Sequence, residues 1–132
     1  MPTKTNAFNN VDCIVIYCNG GKGHLVMNHL DQFEDLIDAG VGFVFMHYAV
    51  EVPKGRAGNL MLNAMGGYFE THWSVNPHWT AEFESLPKHP ITRGIRPFVH
   101  KDEWYYHIRF KPDMKMSLIH ISDTTRPLYI SY

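Results

Sequence analysis

The hydrophobic pattern of the first third of the chain predicts a strand, a helix and a second strand. Residues 12–18 (DCIVIYC) form a continuous apolar run that ends at a glycine-rich turn. Such a run is typical of a strand buried on both faces of a parallel sheet. Apolar residues then recur at helical spacing from Leu25 to Ala39, and Gly40 is expected to end this helix. Residues 41–47 (VGFVFMH) form another apolar strand. The order predicts a βαβ unit with a right-handed crossover, and therefore an α/β fold.

The pattern is less regular after residue 48. Residues 57–64 fit a short helix that ends at two glycines. Residues 68–90 combine aromatic residues, histidines and prolines without a clean period, so we expect an ordered loop region with short strands. Within them, residues 88–94 (KHPITRG) read as a turn with an exposed basic tip, to which no chemistry is assigned. Residues 98–110 and 116–121 are further strand candidates.

The composition is that of a globular protein, with 45% apolar and 19% charged residues among 132. The formal net charge of −1 gives no reason to expect a nucleic-acid partner. The longest apolar stretch is far below the roughly 20 residues that a membrane helix needs, so no membrane partner is expected. Residues 1–10 lack the apolar centre of a signal peptide, which leaves a cytoplasmic location as the default expectation. Cys13 and Cys18 are expected to be small core residues, since disulfide geometry within one strand is unfavourable.

The first candidate for chemistry is the turn from Asn19 to His24 (NGGKGH), after the first predicted strand. In open α/β sheets ligands bind at this place, where strand ends and helix amino termini present unpaired N–H groups. Gly20 and Gly21 would allow a ligand to approach the backbone closely. The spacing fits neither a P-loop nor a dinucleotide fingerprint, so no nucleotide cofactor is expected. The alternative is a tight turn without a ligand.

The second candidate is His47, at the end of the second predicted strand. A nucleophile elbow would place its Ser or Cys here, and the absence of either argues against acyl-enzyme chemistry. A neutral imidazole at a strand end can hold a metal ion or move protons. A hydrogen-bonded structural histidine is the alternative.

The third candidate is the run at residues 70–79 (ETHWSVNPHW). The faces of Trp73 and Trp79 can stack on a sugar ring, while Asn76 and His78 can bind its hydroxyls. The spacing of the two histidines matches no common metal motif. An aromatic cluster beneath a long loop is the alternative.

The fourth candidate is the run at residues 102–109 (DEWYYHIR). Desolvation by neighbouring aromatics can raise the pKa of a carboxyl group such as Glu103, which suits acid–base chemistry. In a strand, Glu103, Tyr105 and His107 would share one face. Arg109 would continue that face, and the alternative is that it only neutralises Glu103.

These stretches together resemble the ThuA-like, trehalose-utilisation family. The resemblance rests on HYAVEVP (47–53), GGYFETHWSVNPHW (66–79), LPKHPITRGIRPF (86–98) and DEWYYHIRF (102–110), with VIYCNGGKGH at 15–24. It implies a class I glutamine amidotransferase-like fold of flavodoxin-like architecture: a doubly wound, mostly parallel sheet with helices on both faces. The usual amidotransferase nucleophile is absent, so a glutamine amidotransferase is not expected.

The resemblance also implies domain limits. A complete domain of the family would begin with another strand and would continue with further elements. We therefore expect a polar segment at residues 1–10, followed at 11–132 by the central part of a ThuA-like domain that is truncated at both ends. A sheet that lacks strands has unpaired edges, which favours self-association, so a homo-oligomer is a candidate state.

The resemblance implies a role in carbohydrate utilisation, with trehalose or a related disaccharide or keto-sugar as the small-molecule partner. An enzyme of the hydrolase or isomerase type is implied, with His47 and Glu103 as the acid and base. Some relatives resemble metal binders, so a divalent metal such as zinc is implied, held by His47, His78 and Glu103. The candidates for substrate binding are Asn19, Gly20, Gly21, His24, Trp73, Asn76, His78, Trp79 and Tyr105. The alternative from another class is a non-catalytic module on the same fold that binds a carbohydrate or another partner.

Overall fold

The computed structural model describes residues 8–86, 88–112 and 114. They divide into two compact units, the first with residues 8–76 and 105–112 and the second with residues 77–104. The elements of the first unit are β1 (Cys13–Tyr17), α1 (Leu30–Asp38), β2 (Gly42–Met46), β3 (Glu51–Val52), α2 (Arg56–Met65), β4 (Gly67–Glu70) and β7 (Arg109–Phe110). Those of the second unit are β5 (His78–Phe83) and β6 (Phe98–Glu103). The α/β class is confirmed.

The predicted βαβ unit is present in the first unit. β1 and β2 pair in parallel, from Cys13 opposite Gly42 to Tyr17 opposite Met46. α1 connects them, and its Phe33 is fully buried. The Phe33 ring meets Phe43 of β2 edge-on, with ring centroids 5.1 Å apart. The inner face of this pair of strands therefore forms a core with one face of α1.

The outer face of β1 and β2 is open, so the prediction of a strand buried on both faces is wrong. Val15 is 62% exposed and Tyr17 is 74% exposed, and on β2 Val44 and Met46 are exposed as well. Apolar residues occur on both faces of β1, but the described residues bury only its inner face. Cys13 is also exposed, and only Cys18 packs against the core as expected.

The predicted helix over residues 25–39 is two elements. Residues Leu25–Asn28 form a short 3₁₀ turn, and α1 begins only at Leu30. His29 interrupts them because its φ of −143° lies outside the helical region. Gly40 ends α1 as predicted, with φ +79°. The N–H groups of Gly40 and Val41 donate to the carbonyls of Ile37 and Leu36, the paired bonds of a Schellman cap.

A second sheet in the first unit has the order β3–β4–β7. β3 and β4 are parallel and connected by α2, while β7 pairs with β4 in the antiparallel sense. Ala57, Leu60 and Met61 of α2 are buried in the core that also contains Tyr68 of β4. α2 matches the helix predicted for residues 57–64 and ends at Gly66, which has φ +80°.

The second unit is built on an antiparallel hairpin. β5 and β6 pair over six residues, from His78 opposite Glu103 to Phe83 opposite Phe98. The rings of Phe83 and Phe98 stack with centroids 4.5 Å apart. The Trp104 indole N–H donates to the Trp79 carbonyl at 3.0 Å. The two strands thus form a compact aromatic unit.

The strand predicted for residues 98–110 is wrong as a continuous element. β6 ends at Glu103 and β7 begins at Arg109. Between them Tyr106 makes an isolated bridge to Val75, and His107 has a φ of +56°, which no strand tolerates. Glu103, Tyr105 and His107 consequently do not share one strand face.

The described strands form three small sheets of two, three and two strands. The strand predicted for residues 116–121 lies outside the described residues. Among the residues that are described, every helix falls short of the length and apolar character of a membrane span.

A Gly58→Ala substitution in α2 is expected to destabilise the protein, although alanine is the better helix former. The added Cβ would lie 2.5 Å from Cζ and 2.6 Å from the hydroxyl oxygen of Tyr68. Overpacking of a core costs about 1–3 kcal/mol, which outweighs a helix-propensity gain of about 1 kcal/mol. Urea unfolding should show a lower free energy of unfolding. Asn59→Ala, at an exposed position of the same helix, is the control, and equal stabilisation by both changes would contradict the close packing.

Candidate functional site

A small cavity lies in the first unit, beside the carboxyl ends of β2 and β4 and the first residue of β3. Its volume is about 180 Å³. The lining side chains come from the turn after β2, from β3 and β4, and from the segments that follow β4 and precede β7. They are Tyr48, Val50, Glu51, Phe69, Ser74, Asn76 and Tyr105. Carboxyl ends of parallel strands are the usual ligand-binding edge of an α/β protein, so this cavity is the candidate site.

The glycine turn after β1 is packed against Glu51 of this cavity. A Cβ on Gly20 would lie 2.6 Å from Glu51 Oε2 and 2.8 Å from the Tyr48 carbonyl oxygen. Only glycine therefore fits at this position. The Thr71 hydroxyl donates to Glu51 Oε1 at 3.0 Å, which fixes the carboxylate from the other side. The predicted turn thus supports the wall of the cavity, and Asn19 beside it is exposed.

His47 lies directly after β2, where the sequence placed it, and its backbone is strained. Its φ of +56° is in the left-handed region. The imidazole Nδ1 and the Tyr105 hydroxyl share a hydrogen bond of 2.7 Å. The ring also stacks on Tyr48, with centroids 4.2 Å apart. Tyr105 lines the cavity, so it connects His47 to any ligand that binds there.

Two further histidines have left-handed backbones, His72 at φ +68° and His107 at φ +56°. Each non-glycine residue of this kind costs on the order of 1–3 kcal/mol. Both occur in the two segments that contribute Ser74, Asn76 and Tyr105 to the cavity wall. Strained backbone of this kind occurs mainly at functional sites. The strain in these two segments therefore supports the choice of this cavity as the candidate site.

A partly buried ion pair holds these two segments together. Arg109 donates to Glu70 through Nε at 3.0 Å and Nη2 at 3.2 Å. The Tyr68 hydroxyl donates to the same carboxylate at 2.9 Å. Arg109 chiefly lowers the pKa of Glu70, while burial chiefly raises the pKa of Tyr68 to about 12. The alternative that Arg109 only neutralises Glu103 is therefore wrong, because two of its N–H groups donate to Glu70.

The same arginine covers part of Trp73. The Arg109 Cζ atom lies 4.0 Å from the centroid of the Trp73 ring, in a cation–π contact. His107 meets that ring edge-on, with centroids 6.0 Å apart. Trp73 is still half exposed. Its predicted role of stacking on a sugar stays a prediction.

His24 is buried, with both ring nitrogens bonded inside the protein. Nδ1 accepts from the Val26 N–H at 3.1 Å, so Nε2 carries the proton that is donated to the Ala49 carbonyl at 2.9 Å. These bonds cap the 3₁₀ turn at Leu25–Asn28 and tie it to the turn after β2. Burial lowers the pKa of His24. A bond to a ligand hydroxyl would require one of these contacts to break, and that predicted role stays a prediction.

His78, Trp79 and Glu103 belong to the second unit. His78 and Glu103 are opposite one another on β5 and β6, which makes them neighbours on one face of the hairpin. Trp79 meets Trp104 at a centroid distance of 6.0 Å. The two units are described separately, so the joint role of these residues with His47 stays a prediction.

The described residues do not offer a complete metal site. Within residues 8–86, 88–112 and 114, no group of three or more His, Cys, Asp or Glu side chains is placed to hold a metal ion. The facing pair of His78 and Glu103 supplies two donors, fewer than the three protein ligands of a typical catalytic zinc site. No chemical step is therefore assigned to a metal.

Sequence reasoning missed Glu51 and Thr71 as site residues. Glu51 stands four residues after His47 in the HYAVEVP stretch, as the first carboxylate after the second strand. That position was the available signal, since a charged side chain just beyond a strand end faces the ligand-binding edge. Thr71 gave no signal, because its bond to Glu51 depends on how β3 and β4 pair.

The fold and the cavity define a mixed α/β protein with a small polar site at the carboxyl ends of its parallel strands. The ThuA family model, described as trehalose utilisation, matches residues 2–128. The chain belongs to the ThuA family, and the resemblance read from its motifs is confirmed. Neither a curated protein nor a solved structure matches the chain significantly.

The buried, neutral side chain of His24 should make the free energy of unfolding depend on pH. Its folded-state pKa is lowered from 6.5, so the unfolded chain takes up the proton first as the pH falls. The contribution of neutral His24 to the free energy of unfolding is present above about pH 6.5. It is lost as the pH falls below that value, by at most about 1.4 kcal/mol per pH unit. Urea unfolding between pH 7.5 and 5 should show this decline, and His24→Gln should flatten it. His78→Asn, at an exposed position, should leave the decline unchanged, and an equal decline in all three proteins would contradict the assignment.

Proposed function

We propose that the first unit binds one neutral sugar ring in the cavity beside Glu51 and Tyr105, as part of a role in trehalose utilisation. The family assignment supports the broad role, and the cavity supports the ligand class. The cavity of about 180 Å³ is smaller than the roughly 300–1,000 Å³ of sites for drug-sized ligands. It suits a single ring of a disaccharide or keto-sugar, with any second ring outside.

One observation carries the proposal: a carboxylate, an amide and phenol hydroxyls converge on one small cavity, together with two apolar side chains. Glu51 accepts hydrogen bonds, while the Asn76 amide and the Tyr105 hydroxyl can both donate and accept. Phe69 and Val50 supply apolar surface for the C–H face of a ring. This mixture suits a polyol without net charge, because most of the lining side chains carry hydrogen-bonding groups and only Val50 and Phe69 are wholly apolar.

The bond between His47 and Tyr105 supports proton transfer as the chemistry of the bound sugar. The Tyr105 oxygen takes a proton from a sugar hydroxyl while the Tyr105 hydroxyl proton passes to His47 Nδ1, and the reverse transfer completes the cycle. This relay requires the tautomer in which Nδ1 accepts. The relay moves this one proton and by itself breaks no carbon–oxygen or carbon–hydrogen bond, so it would assist hydrolysis or isomerisation only by activating the sugar hydroxyl. Glu103, the other predicted acid–base residue, is not needed for this relay.

The doubly wound sheet that the resemblance implies is also part of the proposal. The two parallel pairs, β1 with β2 and β3 with β4, support it, because helices α1 and α2 connect them as that architecture requires.

Glu51→Gln should weaken sugar binding at least about tenfold, because a charged acceptor of hydroxyl hydrogen bonds is lost. Titration calorimetry with glucose, trehalose and a keto derivative of trehalose measures the dissociation constant. Glu84→Gln makes the same change at an exposed position outside the cavity and should leave affinity unchanged. Equal affinity of the parent and Glu51→Gln for every sugar that binds would remove the cavity from the proposal.

Tyr105→Phe should lower kcat about a hundredfold or more and change KM little, because it removes the hydroxyl that relays the proton. His47→Gln should give a similar loss. Turnover of keto-sugars and disaccharides is followed by product analysis. Undiminished turnover in Tyr105→Phe would contradict the relay. If the parent binds sugar but turns over none of these substrates, the non-catalytic binding module is the correct function.

A further inference from the structure

The second unit has a concave surface of its own, formed by the segment between its two strands. Its volume is about 420 Å³. The lining residues come from the KHPITRG turn and its neighbours, a motif to which the sequence analysis assigns no chemistry and which lies outside the proposed sugar site. They are Leu86, Lys88, His89, Pro90, Thr92, Arg93 and Ile95.

The charge of this surface is entirely positive. Lys88 and Arg93 contribute cations, His89 contributes an imidazole, and none of the lining residues is acidic. The chain contains no Asp or Glu between residues 86 and 101. Among the described residues, neither Lys88 nor Arg93 is in an ion pair. Two cations that line the same surface, with no acidic residue in its lining, attract an anion.

The backbone beneath these cations is fixed by Thr92. The Thr92 hydroxyl donates to the His89 carbonyl at 3.0 Å and accepts from the His89 N–H at 3.2 Å. The Ile95 N–H donates to the Thr92 carbonyl at 3.1 Å, and Gly94 turns the chain with φ +82°. The turn is therefore closed by internal bonds, and Lys88 and Arg93 directly flank the bonded residues His89 and Thr92.

Apolar residues form the rest of the surface. Leu86, Pro90 and Ile95 lie beside the cations, and Ile95 is half exposed. A bare ion needs no such surface, whereas the carbon skeleton of an organic anion can pack against it.

We propose that this surface binds a phosphoryl group, free or carried on a small organic molecule such as a sugar. Arginine matches two phosphate oxygens with paired N–H donors, and lysine adds a point charge, so Arg93 and Lys88 together suit a dianion. The surface is distinct from the proposed sugar cavity, since all of its residues belong to the second unit.

Titration of the whole chain with inorganic phosphate at pH 7.5 and low ionic strength tests the proposal. We expect saturable binding that Arg93→Gln weakens at least about tenfold, because the paired donors are lost. Arg96→Gln removes the same charge from an exposed arginine that does not line the surface, and it should weaken binding less than about twofold. Lys88→Gln is the second variant, expected to weaken binding if Arg93→Gln does not fold.

Comparison of glucose 6-phosphate with inorganic phosphate distinguishes the two sources of the phosphoryl group. Tighter binding of glucose 6-phosphate than of phosphate, with the same loss in Arg93→Gln, indicates an organic phosphate. Equal binding of both indicates free phosphate, and either result supports the proposal. Absence of saturable phosphate binding up to about 50 mM, or equal weakening by Arg93→Gln and Arg96→Gln, overturns it, since long-range charge alone would then explain the effect. Glu51→Gln should leave phosphate affinity unchanged. A negative result in the phosphate test therefore does not contradict the sugar proposal, and the reverse also holds.

Discussion

The ion pair between Glu70 and Arg109 is the interaction on which the rest of the first unit depends. A buried carboxylate is stable only when it is paired and hydrogen-bonded, and here Arg109 and Tyr68 supply three donors to it. The pair joins β4 to β7 and so keeps the returning segment, residues 105–112, beside β4. Tyr105 lies on that segment and reaches both His47 and the cavity. The site therefore exists because a charge inside the protein has a partner that is distant in sequence.

The proposed site combines a carboxylate that is fixed by its neighbours with a residue whose backbone is strained. Gly20 and Thr71 hold Glu51 from two sides, and no larger residue fits at position 20. His47 is held in a left-handed conformation at the point where it meets Tyr105. In the proposed site, fixed acceptors would orient a bound ring, and the left-handed backbone of His47 places its imidazole beside the Tyr105 hydroxyl. In the second unit, a hydrogen-bonded turn carries the cationic side chains of Lys88 and Arg93.

The sequence predicted the parts that depend on local pattern. Apolar runs located β1 and β2, and Gly40 marked the end of α1 because a glycine just past a helix favours the left-handed cap. The predicted helix over 25–39 was too long because the buried His24 side chain caps a separate turn, which no periodicity reveals. The pairing of Arg109 with Glu70 was not predicted because the two residues are 39 positions apart in the sequence. Glu51 was overlooked for the same reason, since its contacts with Gly20 and Thr71 arise only after strands pair.

The open outer face of β1 and β2 has a consequence for how the protein behaves in concentrated solution. Val15, Tyr17, Val44 and Met46 present apolar surface to water on one side of a sheet. Sulfate and phosphate salts and warming strengthen apolar attraction, whereas cooling weakens it. Colloidal stability should therefore be greatest in cold, sulfate-free buffers, and salting-out should begin at lower sulfate concentration than the modest net charge alone implies. The choice of storage buffer follows from the geometry of a single pair of strands.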